Sequence, residues 1–253
     1  MSLSSFSSIG YYVGGSLSIA PSAPATGLDN ISSANLIHYY NFETAGLSGS
    51  TFKNGISGGT ADITLSGSNF IDTTIYKNGA GALKITSSNF GYLTTGKNLY
   101  SATQTLAFKF YVSSTGISTF NHPFGSYYNG IANYNNLCQV YQNGANYVLR
   151  FYFYNPSGYD LTLSNNIALN TWHSVAITKN GTTLQGFLNG AYVTQVATGT
   201  DYKLFNNSST NTFAFGRDRN QATLTFNGDI DDFRLYNRVL TNAEITTLHS
   251  TLT

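Results

Sequence analysis

The segment that most restricts the fold runs Gly228-Asp229-Ile230-Asp231-Asp232-Phe233-Arg234-Leu235-Tyr236-Asn237-Arg238-Val239-Leu240-Thr241-Asn242-Ala243-Glu244-Ile245. A strand passes almost directly into a helix whose start is marked chemically. Thr241 and Glu244 stand at capping-box spacing: the threonine oxygen takes one orphan amide, and the glutamate reaches back for another. Leu240 precedes the cap and Ile245 holds the fourth helical position, the spacing of a hydrophobic staple. Ile245, Leu248 and Leu252 then recur at helical spacing. A helix this short must lie on something larger. Alternation along the strand puts Phe233 and Leu235 on one face and Asp232, Arg234 and Tyr236 on the other.

Composition supplies what the helix lies on. Of 253 residues, 41% are hydrophobic, enough for a substantial core, and only 9% are charged. With 19 Tyr and 17 Phe the chain is rich in strand formers and lacks the signature of disorder. Net charge is +1, with basic residues scattered singly. That excludes a nucleic-acid groove and an anionic-membrane patch. No apolar run approaches the ~20 residues of a membrane span, so no membrane insertion is expected. Cys138 is the one cysteine, which rules out an intrachain disulfide and suits a small buried hydrophobe. The N-terminus lacks a basic region followed by an apolar one, so no standard signal peptide is expected. A surface polar through Ser, Thr, Asn and Tyr suits an extracellular location or the surface of a virus or phage particle.

Residues 1–28 carry Ser, Gly, Ala and Pro in abundance and only Asp29 opens the charged part of the chain. This stretch reads as an uncharged N-terminal arm, expected to pack against other copies or subunits of an assembly, ahead of a single domain over 29–253. From Leu36 onward short apolar-alternating runs are punctuated by seven Asn-Gly pairs, which suit type I′ hairpin turns. The clearest meander spans Trp172 to Val196, turning at Asn180-Gly181 and again at Asn189-Gly190. The predicted class is all-β: a two-sheet antiparallel sandwich with a short C-terminal helix.

Several segments together resemble one family. Leu36-Ile37-His38-Tyr39-Tyr40-Asn41-Phe42-Glu43, Gly79-Ala80-Gly81-Ala82-Leu83-Lys84-Ile85, Thr105 to Val112, Asn170-Thr171-Trp172-His173-Ser174-Val175-Ala176-Ile177, Phe187-Leu188-Asn189-Gly190, Phe215-Gly216-Arg217-Asp218 and the C-terminal segment follow one another in the order of laminin-G-like, concanavalin A-like jelly rolls. The resemblance covers about residues 36–250. It implies a jelly-roll sandwich, a scaffold that carries lectins, adhesion modules, glycosidases and structural proteins alike.

The resemblance brings two chemistries to the acids. Glycosidases of this fold place alternating carboxylates from an E-x-D-x-E pattern on one strand face. Here the alternate positions are Asp229, Asp231 and Phe233, so the third carboxylate is missing and no enzyme is expected. Laminin-G-like and pentraxin-like modules also bind calcium at the sandwich rim, where Asp229 and Asp231 with Asn54 are candidate ligands. The competing reading is structural: Asp232 pairs with Arg234, and the other acids take loop amides. His38, His122, His173 and His249 are dispersed, which argues against zinc, and no G-x-S-x-G nucleophile motif occurs. No cofactor is required.

Aromatic and amide side chains are the stronger lead. In Arg150-Phe151-Tyr152-Phe153-Tyr154, alternation sets Phe151 and Phe153 on one face and Arg150, Tyr152 and Tyr154 on the other. The nearby stretch from Tyr127 to Asn136 adds four Asn amides among three tyrosines: Tyr127, Tyr128, Asn129, Tyr134, Asn135 and Asn136 are candidate ligand residues. Flat rings with polar tips beside amides suit a neutral glycan or a protein surface. The expected function is a non-catalytic, lectin-like adhesion module that binds a glycan or a surface protein. The alternative is a structural protein of a virus or phage particle: a minor capsid, decoration or fibre component.

Overall fold

The computed structural model describes residues 35–56, 62–94, 101–117, 119–127, 135–154, 159–198, 204, 212–216 and 226–250. Residues 1–28, and with them the expected arm, lie outside the described residues. The strands in chain order are β1 (Leu36–Tyr40), β2 (Leu47–Ser48), β3 (Thr51–Phe52), β4 (Ile63–Ser66), β5 (Ile71–Asp72), β6 (Ala82–Ile85), β7 (Phe90–Thr94), β8 (Thr103–Val112) and β9 (Phe120–Tyr127). There follow β10 (Asn135–Asn143), β11 (Asn146–Tyr154), β12 (Tyr159–Ser164), β13 (Trp172–Asn180), β14 (Thr183–Leu188), β15 (Ala191–Ala197), β16 (Thr212–Phe215) and β17 (Gly228–Tyr236), then the helix α1 (Asn242–Ser250).

These strands form two antiparallel sheets, as expected of a jelly-roll sandwich. One runs β15-β14-β13-β8-β17-β6-β5, with β1 also paired to β17. The other runs β12-β11-β10-β9-β16-β7-β4-β3-β2. Period-two alternation explains the core between them. Leu106, Phe108, Phe110 and Val112 of β8 and Val175 and Ile177 of β13 face Leu149, Phe151 and Phe153 of β11 and Cys138 and Val140 of β10, all buried. Phe233 of β17 stitches the two sheets together. Its ring centre lies 5.0 Å from that of Phe215 and 5.5 Å from that of Phe124 in the opposite sheet. Cys138 is one of these core residues, and burial pushes its thiol well above the ordinary range.

Strict alternation fails in one place that matters. Along β17 it would put Asp229 and Asp231 on the same face as Phe233. Instead the register with β8 shifts between Asp231 and Arg234, and Asp232 takes a φ of 52°. This bulge adds one residue to the strand, so Ile230 and Phe233 both enter the core. Asp231 keeps its cross-strand place opposite Lys109 of β8, and Arg234 regains pairing opposite Ala107.

Of the seven Asn-Gly pairs, those at 143–144, 180–181 and 189–190 are tight hairpin turns among the described residues, and they divide into two kinds. At Asn189-Gly190 both residues have positive φ (51° and 79°), the expected type I′ geometry. At 143–144 and 180–181 the asparagine is the last strand residue, paired with Asn146 and Thr183 respectively. Glycine alone there has positive φ, 62° at Gly144 and 56° at Gly181. Glycine at the first of two loop positions is the type II′ pattern, which turns the chain with the same twist.

The C-terminal helix starts as its sequence requires. The Thr241 amide donates to Glu244 Oε2 at 2.8 Å, and the Glu244 amide donates to Thr241 Oγ1 at 3.2 Å. Arg238 holds the same carboxylate with its two terminal nitrogens, Nη1 to Oε2 at 3.0 Å and Nη2 to Oε1 at 2.7 Å. Leu240, Ile245 and Leu248 bury against Tyr236, Phe187, Ala107 and Ala176. Ala107 and Ala176 are directly paired between β8 and β13, and their small side chains give the helix a flat seat on the outer face of its sheet. Leu252 lies outside the described residues.

Candidate functional site

Two outer faces carry organised polar chemistry. The first belongs to β9–β12. Register brings the candidates together in rows across the strands: Asn135 lies between Tyr127 and Tyr154 in one, and Tyr152 lies between Leu137 and Asp160 in the next but one. Arg150 follows, opposite Gln139 on one side and Thr162 on the other. Asn136 is paired with Phe153, whose ring is in the core. Of Tyr127, Asn135, Asn136 and Tyr154 the backbone alone is described, and Tyr128, Asn129 and Tyr134 lie outside the described residues.

Arg150 is the centre of this face. Its Nε donates to Gln139 Oε1 at 2.8 Å and its Nη1 to Asp160 Oδ2 at 2.8 Å. The guanidinium carbon lies over the Tyr141 ring at 4.6 Å and over the Tyr152 ring at 5.0 Å. Gln139 is buried, and its Nε2 donates to His122 Nε2 at 2.9 Å, so that nitrogen of His122 is the unprotonated one. The buried amide fixes the arginine, and the arginine fixes two half-buried tyrosine rings. Such a pre-set plane of rings and donors needs no further ordering of its own side chains, the geometry that suits a flat polar ligand.

Gln139, His122, Tyr141 and Asp160 were absent from the sequence candidates. One signal for Gln139 existed: the Gly144-Ala145 loop sets the hairpin register, and counting back from it places Gln139 opposite Arg150.

The second face is the outer side of the β17 sheet. Asp232 pairs with Arg234 through Nε and Nη2, both at 2.8 Å, with both residues buried. Asp231 Oδ2 accepts the amides of Asn78 at 2.7 Å and Lys77 at 3.1 Å. The structural pairing set out from sequence is therefore present. Burial, then the neighbouring Asp232, pushes Asp231 up to about 8 against the pull of the amides. Burial, then Asp72, pushes Asp229 up to about 7, with Lys84 opposing. Asn54 is spent elsewhere: its Oδ1 accepts the amides of Tyr39 and Ile56 at 3.1 and 3.2 Å. Asp229, Asp231 and Asn54 do not fit calcium, which wants six to eight converging oxygens. Asp231 has given its Oδ2 to amides and faces Lys109 across the strand. Among the described residues no group of three or more His, Cys, Asp and Glu side chains is placed to hold a metal ion.

Ser174 Oγ and His249 Nδ1 meet at 2.9 Å, a contact between residues 75 apart in sequence. A serine and a base within reach are two parts of a nucleophilic triad. The third part is missing: among the described residues no carboxylate is recorded against His249. Burial, then Lys109 and Lys77, holds this histidine below its ordinary value.

Residues 86–246 match the family model described as the concanavalin A-like lectin/glucanases superfamily, Laminin_G_3. The chain belongs to that family. No curated protein matches the sequence. Among solved structures it is similar to domain 4 of AbnA, a GH43 extracellular arabinanase from Geobacillus stearothermophilus, in complex with arabinotriose. That likeness has 18% identity and a TM-score of 0.63, covering 85% of this chain and 98% of that one. It is also similar to the binding domain of botulinum neurotoxin DC in complex with rat synaptotagmin II (19% identity, TM-score 0.64), covering 87% of this chain but 52% of the toxin domain. A third is the heptameric SAP-like pentraxin of Limulus polyphemus, at 12% identity and a TM-score of 0.52, with 74% of this chain and 82% of that one covered. At these identities the likeness is one of fold.

Proposed function

We propose that this chain is a non-catalytic, lectin-like binding module whose ligand face is the β9–β12 surface around Arg150. The observation that carries this is the Arg150 guanidinium, held by Gln139 and Asp160 and laid over the rings of Tyr141 and Tyr152. A sugar presents an apolar ring face and a rim of hydroxyls. Tyrosine rings meet the first, and the free edges of Asp160 and Arg150 meet the second. Tyr127, Asn135 and Tyr154 extend the same rows of the sheet and belong to the proposed site. The family supports a binding module, as do a neighbour solved with arabinotriose and one solved with a protein receptor. A protein surface is the competing ligand. Display outside the cell or on a larger particle is proposed from the abundance of Ser, Thr, Asn and Tyr, and the arm over 1–28 is proposed as its tether to other subunits.

A glycan array with the protein displayed multivalently tests the proposal. An aromatic contact worth about 0.5–1.5 kcal/mol beyond its area predicts that Tyr152→Ala weakens the best ligand several-fold to about tenfold. Arg150→Ala, which frees both rings, is expected to cost at least as much. A blank array at high avidity sinks the glycan reading, as does a ligand indifferent to both substitutions.

A further inference from the structure

The outer face of the β17 sheet holds a cleft of about 150 Å³ lined by Lys77, Lys109, Trp172, Ser174, Asn189 and His249 together with His173. Cross-strand register builds its floor. Asp231, Lys109 and Ser174 lie in one row, and Asp229, Tyr111 and Trp172 in a neighbouring row. The remaining walls come from three other segments. The loop bearing Lys77 is pinned by its own amide and that of Asn78 on Asp231. The Asn189 turn is pinned by Asn189 Oδ1, which accepts the Ser174 amide at 3.0 Å. The end of α1 is pinned by the contact of His249 with Ser174.

The lining has two ammonium groups, two histidines, a hydroxyl, an amide and an indole, and no carboxylate. Three cations (Lys77, Lys109, Arg234) and three acids (Asp229, Asp231, Asp232) share this face, and burial keeps Asp229 and Asp231 from full ionisation near neutral pH, so the face carries an excess of positive charge there. Lys109 is almost wholly buried, a position costly for a cation without negative charge around it. Asp232 and Asp231 act on it from the same sheet, and neither is part of the cleft's lining. Asn189, with its oxygen engaged, keeps Nδ2 as a donor. Trp172 lies beside Tyr111, ring centres 5.8 Å apart and planes tilted by 54°, and gives the cleft an aromatic wall next to its lysines.

We propose that this cleft binds an acidic sugar unit, its carboxylate or sulfate between Lys77 and Lys109 and its ring face on Trp172. The site is separate from the Arg150 face, which lies on the other sheet, and stands or falls without it. Burial pulls Lys109 down to about 8 against the fields of Asp232 and Asp231, with Lys77 and Arg234 also lowering it, while His249 stays neutral. Anion affinity is therefore expected to fall as pH rises from 7 to 9 and Lys109 sheds its proton.

Calorimetric titration with an oligogalacturonate, a sulfated galactan oligosaccharide and a neutral galacto-oligosaccharide of equal length tests this. At least one acidic oligosaccharide is expected to bind and the neutral one not, and which acid binds identifies the group. Lys77→Ala and Trp172→Ala, both at half-buried rim positions, are each expected to weaken binding at least tenfold with Tm little changed. Arg150→Ala is expected to leave it unaltered. The proposal is overturned if neither acidic oligosaccharide binds, if the neutral one binds as well, or if both rim variants bind like the parent protein.

Discussion

Asp229 and Asp231 are carboxyls kept from water, and this gives the protein an unusual pH response. A carboxyl whose folded pKa lies above its unfolded value of about 3.9 holds its proton in the native state while the unfolded chain has lost it. Stability therefore declines as pH rises from about 4 toward the folded values of about 7 and about 8. Glu244 works in the opposite sense and in another window. Hydrogen bonds from Arg238, then those from Thr241, overcome burial and hold it at about 2, so its contribution is present above about 4.3 and lost as pH falls through 2. Asp229→Asn removes that residue's share of the first effect and leaves the shares of Asp231 and Glu244 in place. Chemical denaturation is expected to show this variant more stable than the parent at pH 8, with the gap closing toward pH 4. The alternation of β17 predicted the Asp232–Arg234 pair. It could not foresee the bulge at Asp232, because the extra residue leaves no mark in a pattern of apolar and polar letters. The rows that place Gln139 on Arg150 or Ser174 on Lys109 are likewise properties of register, which a single strand does not carry.

The elements with local chemistry were the ones the sequence announced. α1 is written in Thr241, Glu244, Leu240 and Ile245, and all four do what their spacing demands. Thr241→Ala is expected to cost about 1 kcal/mol, lowering Tm by about 2–4 °C in a chain of this size. Arg238 continues to hold Glu244 in that variant, so the helix stays seated and calorimetry should show a single shifted transition. The meander from Trp172 was legible for the same reason, since its strands alternate and its turns contain glycine. The turn types were only half legible. Asn-Gly fixes where a hairpin reverses, but whether asparagine is the last strand residue or the first loop residue depends on the partner strand's register. At Asn189 the side chain is engaged with Ser174, which places the pair in the loop itself.

At the scale of the whole molecule the fold rests on rings that reach between sheets. Phe233 is fully buried against Phe215, Phe124, Phe108 and Tyr40. Phe233→Ala is expected to cost about 3–5 kcal/mol, read from the midpoint of denaturant unfolding. The family and its two-sheet architecture were legible because many weak segments fell in one order. Neither polar face was legible as a unit. The cleft draws on Lys77, Lys109, Trp172, Asn189 and His249, which meet only when distant strands pair. Those same pairings also set an order of events. β17 sits inside its sheet, with β8 on one flank and both β1 and β6 on the other. Until Gly228–Tyr236 has left the ribosome, three strands made earlier have open edges and the aromatic core lacks Phe233. The sandwich thus stays largely unclosed until β17, the last of its described strands in chain order, has emerged, and closure comes from that strand.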